Sequence, residues 1–386
     1  GNATPLPEAM AQAMGMKCPV CQSELLADEQ VVEPADKATE SGPWVDWPTP
    51  VSLPLCEYFE EEHPGGKLWA ACDAFEMLTR LIVIVLVGER SSSGGLEDGV
   101  RDRLSRLIES PTFGAWYVMA RELSEIKGGS EELAQMRKYV SQTLRDLLYG
   151  PDNPGTDETS FLKLRNRLAH GGGMSRNEQS RLLGLWEKRI KEAIDSLDWL
   201  SSWELIGKTE TDVWKKLTGK SPESVDTPEG ITESAPDSVW LRINQTLIPL
   251  WPLAAFGKPS IQGEGKQKKG STEAPQVYSR KESVRLGYVP LGAEGMGYAE
   301  SSAGALAAFE QMFRPSEKAQ ASGFKIKDFM GEIRKDAGQM VGRQKELDDI
   351  ISKVRETKQG VLWISGQAGM GKSFLMAKLS VDLLEE

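Results

Sequence analysis

The sequence has few of the residues that build disulfide frameworks and metal centres, with four cysteines and two histidines in 386 residues. So few cysteines, and no signal-peptide pattern in residues 1–16, argue against a disulfide-stapled secreted domain and indicate a reducing, cytoplasmic compartment. The longest apolar run, residues 81–87, has seven residues, whereas a membrane-spanning helix needs about 20. We therefore expect no membrane-spanning segment.

An excess of positive charge is also missing. The chain has 46 Lys and Arg residues against 57 Asp and Glu residues, a net charge of −11. Because nonspecific affinity for nucleic acid and anionic membranes comes from Lys and Arg, this balance argues against a general binder of either. A local basic cleft is compatible with it. The length allows two or three domains, and 38 Gly and 21 Pro indicate linkers between them.

The most specific motif lies near the end of the chain. The apolar residues 361–364 precede a glycine-rich segment and an amphipathic helical pattern, which is the strand–loop–helix order of a phosphate loop. The glycines let successive backbone N–H groups point at phosphate oxygens. Lys372 can reach the β- and γ-phosphates, and the Ser373 hydroxyl suits Mg²⁺. We predict that ATP and Mg²⁺ bind to Gly366, Gln367, Ala368, Gly369, Met370, Gly371, Lys372 and Ser373.

Residues 341–347, V-G-R-Q-K-E-L, strengthen this prediction because they precede the loop by one helical pattern. Together the two motifs resemble the start of the nucleotide domain of the AAA+/STAND signalling ATPases, over residues 341–386. The resemblance implies that the first residues of this stretch pack near the adenine and help to select ATP. These residues are Val341, Gly342 and Arg343.

The resemblance ends early, since only thirteen residues follow Ser373. The family has a second strand that carries a carboxylate, a sensor and an arginine finger. We find no counterpart of these in the thirteen residues. A doubly wound nucleotide domain needs several more βα units. We therefore expect the chain to be an N-terminal portion of a larger protein, able to bind nucleotide but not to hydrolyse it.

A different pattern occupies residues 54–206. Apolar residues recur there with helical spacing in segments parted by Gly, Pro or Ser, which predicts one α-helical bundle. A capping box, Ser175 to Glu178, opens the last segment. The predicted helices are Leu68–Val87, Val100–Ile108, Trp116–Ile126, Glu131–Leu148, Ser160–His170 and Ser175–Leu200.

One of these segments ends in the motif R-N-x-x-x-H, formed by Arg165, Asn166 and His170. Such a motif late in an all-α domain resembles the HEPN superfamily, many of whose members are metal-independent ribonucleases that act as dimers. The resemblance implies that Arg165 and His170 meet their symmetry mates in a cleft. His170 would transfer a proton with the RNA 2′-hydroxyl and Arg165 would stabilise the charged phosphorane. Asn166 matches the polar residue that often follows the arginine.

A structural interpretation of the same residues stays open. His170 precedes three glycines, where an imidazolium and a glycine cap complement the end of a helix. Arg165 and His170 are five positions apart, about 140° around an ideal helix. Many HEPN-like domains have lost catalysis and serve as dimerising or sensing modules. The sequence supports the fold more strongly than the activity.

The N-terminal segment contains the turn C-P-V-C, from Cys18 to Cys21. Such a turn resembles half of a zinc ribbon, in which two thiolates face one metal. No second knuckle follows, because Cys56 and Cys72 do not have the spacing of one. A degenerate ribbon or a metal-free reduced turn is therefore favoured over zinc bound by Cys18 and Cys21. Residues 29–50 are expected to be a linker.

Short alternating apolar segments between residues 208 and 293 predict a small, mostly antiparallel β module. The lysine-rich stretch at residues 265–270 is interpreted as a solvated hairpin tip in preference to a phosphate contact. Residues 294–340 become helical again, at 303–313 and 326–333, and are expected to connect the N-terminal region to the nucleotide domain.

The sequence thus predicts a multidomain chain: an α-helical bundle, a small β module and the start of an α/β P-loop NTPase domain. We expect the nucleotide-binding portion of a STAND-like signalling ATPase, by analogy bacterial and antiviral, with the bundle as effector or dimerisation domain. A ribonuclease gated by the ATPase and a non-catalytic interaction module are the alternatives. The expected partners are nucleotide, further copies of the chain and, for the ribonuclease, RNA, but no membrane. The expected segments are 1–53, 54–207, 208–293, 294–340 and 341–386.

Overall fold

The chain forms two compact units, Gly1–Arg314 and Pro315–Glu386. The computed structural model describes residues 42–150, 158–169, 174–209, 211–231, 234–258, 260–263, 266–269, 273–282, 284–292, 299–300, 304–316, 344–356 and 372–385.

The first half of the described chain is helical, as predicted. A π-helical turn, Val140–Leu144, joins two of the helices, so that the predicted segment 131–148 is one helical stretch with a wider turn inside it. A 3₁₀ turn, Asp198–Ser202, ends the helical half. The helices are α1 Thr49–Glu60, α2 Pro64–Ser92, α3 Asp98–Ile108, α4 Phe113–Ser124, α5 Ala134–Tyr139, α6 Arg145–Tyr149, α7 Phe161–Ala169 and α8 Arg176–Asp195.

Helix α2 is the central element of this unit and packs against α1, α4 and α8. Its apolar run at residues 81–87 is at most 1% exposed. Pro64 occupies the first turn, where no amide hydrogen is needed. The imidazole Nδ1 of His63 accepts the Gly66 amide at 3.4 Å, which caps the helix. One of the two histidines of the sequence therefore has a structural role.

The linker prediction is wrong for residues 43–50. A 3₁₀ turn spans Pro43–Asp46 and α1 begins at Thr49. Trp47 between them is only 1% exposed, and its indole N–H donates to the Ser201 hydroxyl at 3.2 Å. Pro43 and Pro50 lie in the first turns of the two helices, where proline is favoured, and Pro48 is the N-cap residue of α1.

The second half of the unit contains two antiparallel sheets, which confirms the antiparallel prediction. The first sheet has the order β3-β2-β1-β4-β5 and the second has the order β6-β9-β10-β11-β7-β8. The sheets begin at Trp203, before the predicted boundary at 208. The strands are β1 Trp203–Lys208, β2 Trp214–Lys216, β3 Glu223–Val225, β4 Val239–Ile243, β5 Thr246–Pro249, β6 Ala254–Gly257, β7 Ser260–Gly263, β8 Lys266–Lys269, β9 Ala274–Lys281, β10 Leu286–Pro290 and β11 Ala299–Glu300.

The lysine-rich stretch forms β8, which pairs antiparallel with β7 in the register Ser260 to Lys269. Residues 266–269 are therefore one strand of a hairpin and not its tip, which corrects the predicted position of this stretch. Their side chains lie outside the described residues, so their exposure to solvent stays a prediction.

Helices and sheets of this unit share one continuous hydrophobic core. Helix α2 crosses β5 closely enough that a Cβ atom on Gly88 would lie 2.2 Å from the Pro249 carbonyl oxygen. The Tyr278 hydroxyl of β9 donates to the Ile108 carbonyl at the end of α3, at 2.6 Å. A further helix, α9 (Ala305–Phe313), confirms the predicted helix at 303–313 and adds Phe309 to this core. The predicted helix at 326–333 lies outside the described residues.

In the second unit, the described helices are α10 (Gln344–Glu356) and α11 (Lys372–Glu385). Leu347 of α10 and Leu375 and Leu379 of α11 are buried together. In neither unit does a described helix have the length and apolar character of a membrane span.

Candidate functional site

The two sequence motifs lie in different units, and the phosphate-loop motif is in the second. Helix α11 begins at Lys372, the residue directly after the last glycine of the motif. One face of the helix is buried at Leu375 and Leu379, which lie one turn apart, while Met376 is 47% exposed. The burial of that face anchors the helix whose first turn carries Lys372 and Ser373.

This first turn has the chemistry that a nucleotide phosphate and its Mg²⁺ need. The first amide groups of a helix have no partner inside the helix and lie at the positive end of its dipole. A serine hydroxyl is a hard oxygen donor of the kind that Mg²⁺ prefers. These residue types suit Mg²⁺ and nucleotide, but the side chains of Lys372 and Ser373 lie outside the described residues, so Ser373 as the metal ligand stays a prediction. The remaining predicted residues, Gly366, Gln367, Ala368, Gly369, Met370, Gly371, Val341, Gly342 and Arg343, lie outside the described residues.

The second motif is on α7 in the first unit. The Phe161 ring packs at 5.6 Å from Phe75 and at 5.1 Å from Trp186, measured between ring centroids. Phe161 and Leu164 are fully buried, so this face fixes the rotation of α7. The rotation places Arg165 half-buried beside α2 and Asn166 at the surface.

Arg165 faces a carboxylate of α2. Its Nη2 lies 3.7 Å from Glu76 Oε2. The other carboxylate oxygen of Glu76 accepts from Arg80 Nη2 at 2.5 Å. Arg80 in turn lies over the Trp116 ring of α4, at 5.6 Å from the centroid. Helices α7 and α2 thus bring one arginine each to the two oxygens of one largely buried carboxylate, and α4 adds the Trp116 ring against Arg80. His170, the third residue of the motif, lies outside the described residues.

A second carboxyl group of α2, on Asp73, belongs to the same cluster. Partial burial raises the pKa of Asp73 to about 6, helped by the neighbouring carboxylates of Glu76 and Glu57 and opposed by Arg165 and Arg80. The side chain is exposed on one side, and the protein on its other side still removes enough water to be the largest cause of the shift. Asp73 therefore changes charge just below neutral pH.

Sequence reasoning missed Asp73, Glu76 and Arg80. Their spacing in α2 places them on one side of a helix that is otherwise mostly apolar, and charged residues there indicate partners across an interface. The partner across the interface is Arg165, a residue of the R-N-x-x-x-H motif. The identity of the partner helix cannot be read from the spacing.

Comparisons with protein-family models, with curated proteins and with solved structures find no match to this chain. The resemblances to AAA+/STAND ATPases and to HEPN domains therefore rest on the sequence motifs alone.

No group of His, Cys, Asp and Glu side chains able to hold a metal ion occurs among the described residues. Cys56 and Cys72 are buried free thiols of α1 and α2. Burial raises the pKa of both, and that of Cys72 lies well above its usual value. They are therefore thiols rather than reactive thiolates at neutral pH. Cys18 and Cys21, the predicted zinc ligands, lie outside the described residues.

Proposed function

We propose that the chain binds ATP with Mg²⁺ through residues 366–373, as the nucleotide-binding portion of a STAND-like signalling ATPase. In this function the Lys372 ammonium contacts the β- and γ-phosphates and the Ser373 hydroxyl ligates the ion. Val341, Gly342 and Arg343 pack near the adenine. The helical part of the first unit is the effector or dimerisation domain, in a homodimer or a larger homo-oligomer.

The observation that carries this proposal is the start of α11 at Lys372, directly after the glycines. A phosphate loop needs a helix that begins at this position, because the loop and the first turn together surround the phosphates. The burial of Leu347 against Leu375 and Leu379 is a second support. It joins α10, which follows the V-G-R motif, to the helix of the phosphate loop.

The test is ATP binding, measured by calorimetry with and without Mg²⁺. We expect the native chain to bind ATP, Lys372→Ala to bind at least tenfold more weakly, and Ser373→Ala to lose most of the effect of Mg²⁺. The matched control is Lys378→Ala on the same helix, whose ammonium lies 2.5 Å from Asp382 and only loses that pair. Native binding that Lys372→Ala leaves unchanged contradicts the proposal, as does the absence of binding.

The second candidate function is a HEPN-type, metal-independent ribonuclease in the first unit, with the ATPase as its gate. The position of Arg165 favours it, since the guanidinium is half-buried and has a carboxylate at 3.7 Å. In this function His170 takes the proton of the RNA 2′-hydroxyl, whose oxygen attacks phosphorus; the bond from phosphorus to the 5′-oxygen of the next nucleotide breaks, and that oxygen takes a proton from solvent. Arg165 stabilises the negative charge that develops on the phosphorane.

Its test is RNA cleavage in EDTA. We expect cleavage by the native chain and its loss in Arg165→Ala and His170→Ala, with Asn166→Ala measured beside them. The matched control is Arg181→Ala, an exposed arginine of α8 that pairs with Glu158 at 2.8 Å. Absence of cleavage, together with lower melting temperatures of the first two variants, points instead to a non-catalytic interaction module.

A further inference from the structure

We propose that Glu76 is a positioning residue that orients the Arg165 guanidinium from within the same chain, and that Arg80 and Trp116 hold Glu76 in place. This proposal rests on the second candidate function, in which Arg165 contacts the reacting phosphate. It concerns three residues of α2 and α4 that the R-N-x-x-x-H motif does not contain.

The contacts run from Trp116 through Arg80 and Glu76 to Arg165, and the buried end, at Arg80, is held rigidly. Arg80 is largely buried, with 13% of its side chain exposed, and its guanidinium lies over the Trp116 ring at 5.6 Å. Trp116 itself is fully buried. A planar cation between a carboxylate and an aromatic face has little freedom to rotate. Arg80 therefore fixes one oxygen of Glu76, at 2.5 Å.

The outer end is open to solvent. Glu76 has 13% and Arg165 has 34% of its side chain exposed, with 3.7 Å between the Glu76 carboxylate and Arg165 Nη2. A guanidinium has five N–H donors on a rigid plane, and one carboxylate oxygen engages only part of them. At 3.7 Å the two groups form an ion pair without a hydrogen bond, so the Glu76 charge holds the Arg165 guanidinium beside α2 and leaves its donors for an incoming phosphate.

A purely structural ion pair is a weaker explanation of this geometry. Pairs at the surface contribute little stability, and Arg165 lies at the exposed end of the chain of contacts. Arg80 holds the Glu76 oxygen that faces away from Arg165. The Glu76 carboxylate, and with it the position of the Arg165 guanidinium, is therefore fixed. Orientation matters for catalysis because a misplacement of about 1 Å can lower a rate about 100-fold.

The experiment measures kcat and KM for RNA cleavage in EDTA by the native chain, Glu76→Gln, Arg165→Ala and the double variant. We expect Glu76→Gln to lower kcat about 10- to 100-fold with little change in KM. The double variant is expected to be no slower than Arg165→Ala alone, because Glu76 acts through Arg165. The matched control is Glu122→Gln, which removes a carboxylate that lies 2.9 Å from Arg103.

Unchanged or faster cleavage by Glu76→Gln overturns the proposal, and faster cleavage shows that Glu76 instead inhibits Arg165. The proposal is also overturned if the loss of kcat in the double variant equals the product of the losses in the two single variants.

If the native chain cleaves no RNA, the ribonuclease function fails. Positioning is then read from the NMR signal of Arg165 Nε–H. Positioning predicts a dispersed signal that Glu76→Gln moves toward the free-arginine shift and Glu122→Gln leaves in place. The same signal in Glu76→Gln and the native chain overturns it.

Discussion

At the scale of single residues, two carboxylates of α2 lie in contrasting surroundings. Burial pushes the pKa of Glu89 up, but hydrogen bonds from Arg137 and from the Ser130 amide outweigh it, so the pKa lies below its usual value. The Ser130 amide donates to Glu89 Oε1 at 2.6 Å. At Asp73 the charges of Arg165 and Arg80 offset burial only in part, and the pKa is raised to about 6. The Glu89 carboxylate is therefore stabilised as an anion, whereas ionisation of Asp73 is disfavoured.

The raised pKa of Asp73 predicts a defined pH dependence. The folded state binds the proton more tightly than the unfolded state, so between about pH 4 and 6 the stability falls as pH rises. We expect Asp73→Asn to raise the melting temperature at pH 7.5, because it removes a charge that burial disfavours and that Glu76 and Glu57 repel. The gain should shrink to a small remainder by about pH 4, where Asp73 is protonated in the folded state and about half protonated in the unfolded state.

Melting curves of both proteins from pH 4 to 7.5 check this prediction. Asp226→Asn, which neutralises an exposed residue after β3, is the control and should leave the pH dependence unchanged. A variant that is less stable than the native chain at pH 7.5 would show that Asp73 is held by favourable contacts.

At the scale of elements, α2 and β5 approach each other closely at Gly88. A Cβ atom on Gly88 would lie 2.2 Å from the Pro249 carbonyl oxygen and 3.0 Å from Ile248 Cγ2. Gly88→Ala therefore forces the strand or the helix to move. We expect the variant to be destabilised by about 1–3 kcal/mol, although alanine is the better helix former.

Gly184 of α8 is the matched control, since a Cβ atom there meets nothing within 4 Å. Gly184→Ala should stabilise the chain by about 0.5–1 kcal/mol through helix propensity alone. Urea unfolding of both variants gives the comparison, and a stabilised Gly88→Ala would mean that α2 and β5 are farther apart than described.

Elements were the part that the sequence predicted best. The helices from α2 to α8 agree with the predicted segments because their apolar residues follow the helical period on one face. Prediction fails at residues 43–50, where three prolines suggest a linker and the tertiary burial of Trp47 decides otherwise. The spacing of apolar residues also does not show which helices pack against each other. Arg165 was predicted as a site residue, but Glu76 and Arg80 become its neighbours only through the packing of α7 on α2.

At the scale of the whole first unit, the helices and the two sheets share one core from Trp47 to Phe313. Ile84 of α2 and Leu241 of β4 are both fully buried in it. A continuous core without an internal boundary unfolds as one cooperative unit. We therefore expect far-ultraviolet circular dichroism, which follows the helices, and tryptophan fluorescence to give the same unfolding midpoint for this unit.

Core truncations on each side test this cooperativity. We expect Ile84→Ala and Leu241→Ala each to lower the stability by about 2–5 kcal/mol, and each to shift the helical signal and the fluorescence signal of this unit together. The reason is that a cavity in either part weakens the same core. A Leu241→Ala variant whose sheets unfold while the helical signal keeps its native midpoint would mean that the bundle and the sheets are independent domains. The Arg165 cluster would then depend on the bundle alone, and its chemistry would survive the loss of the sheets.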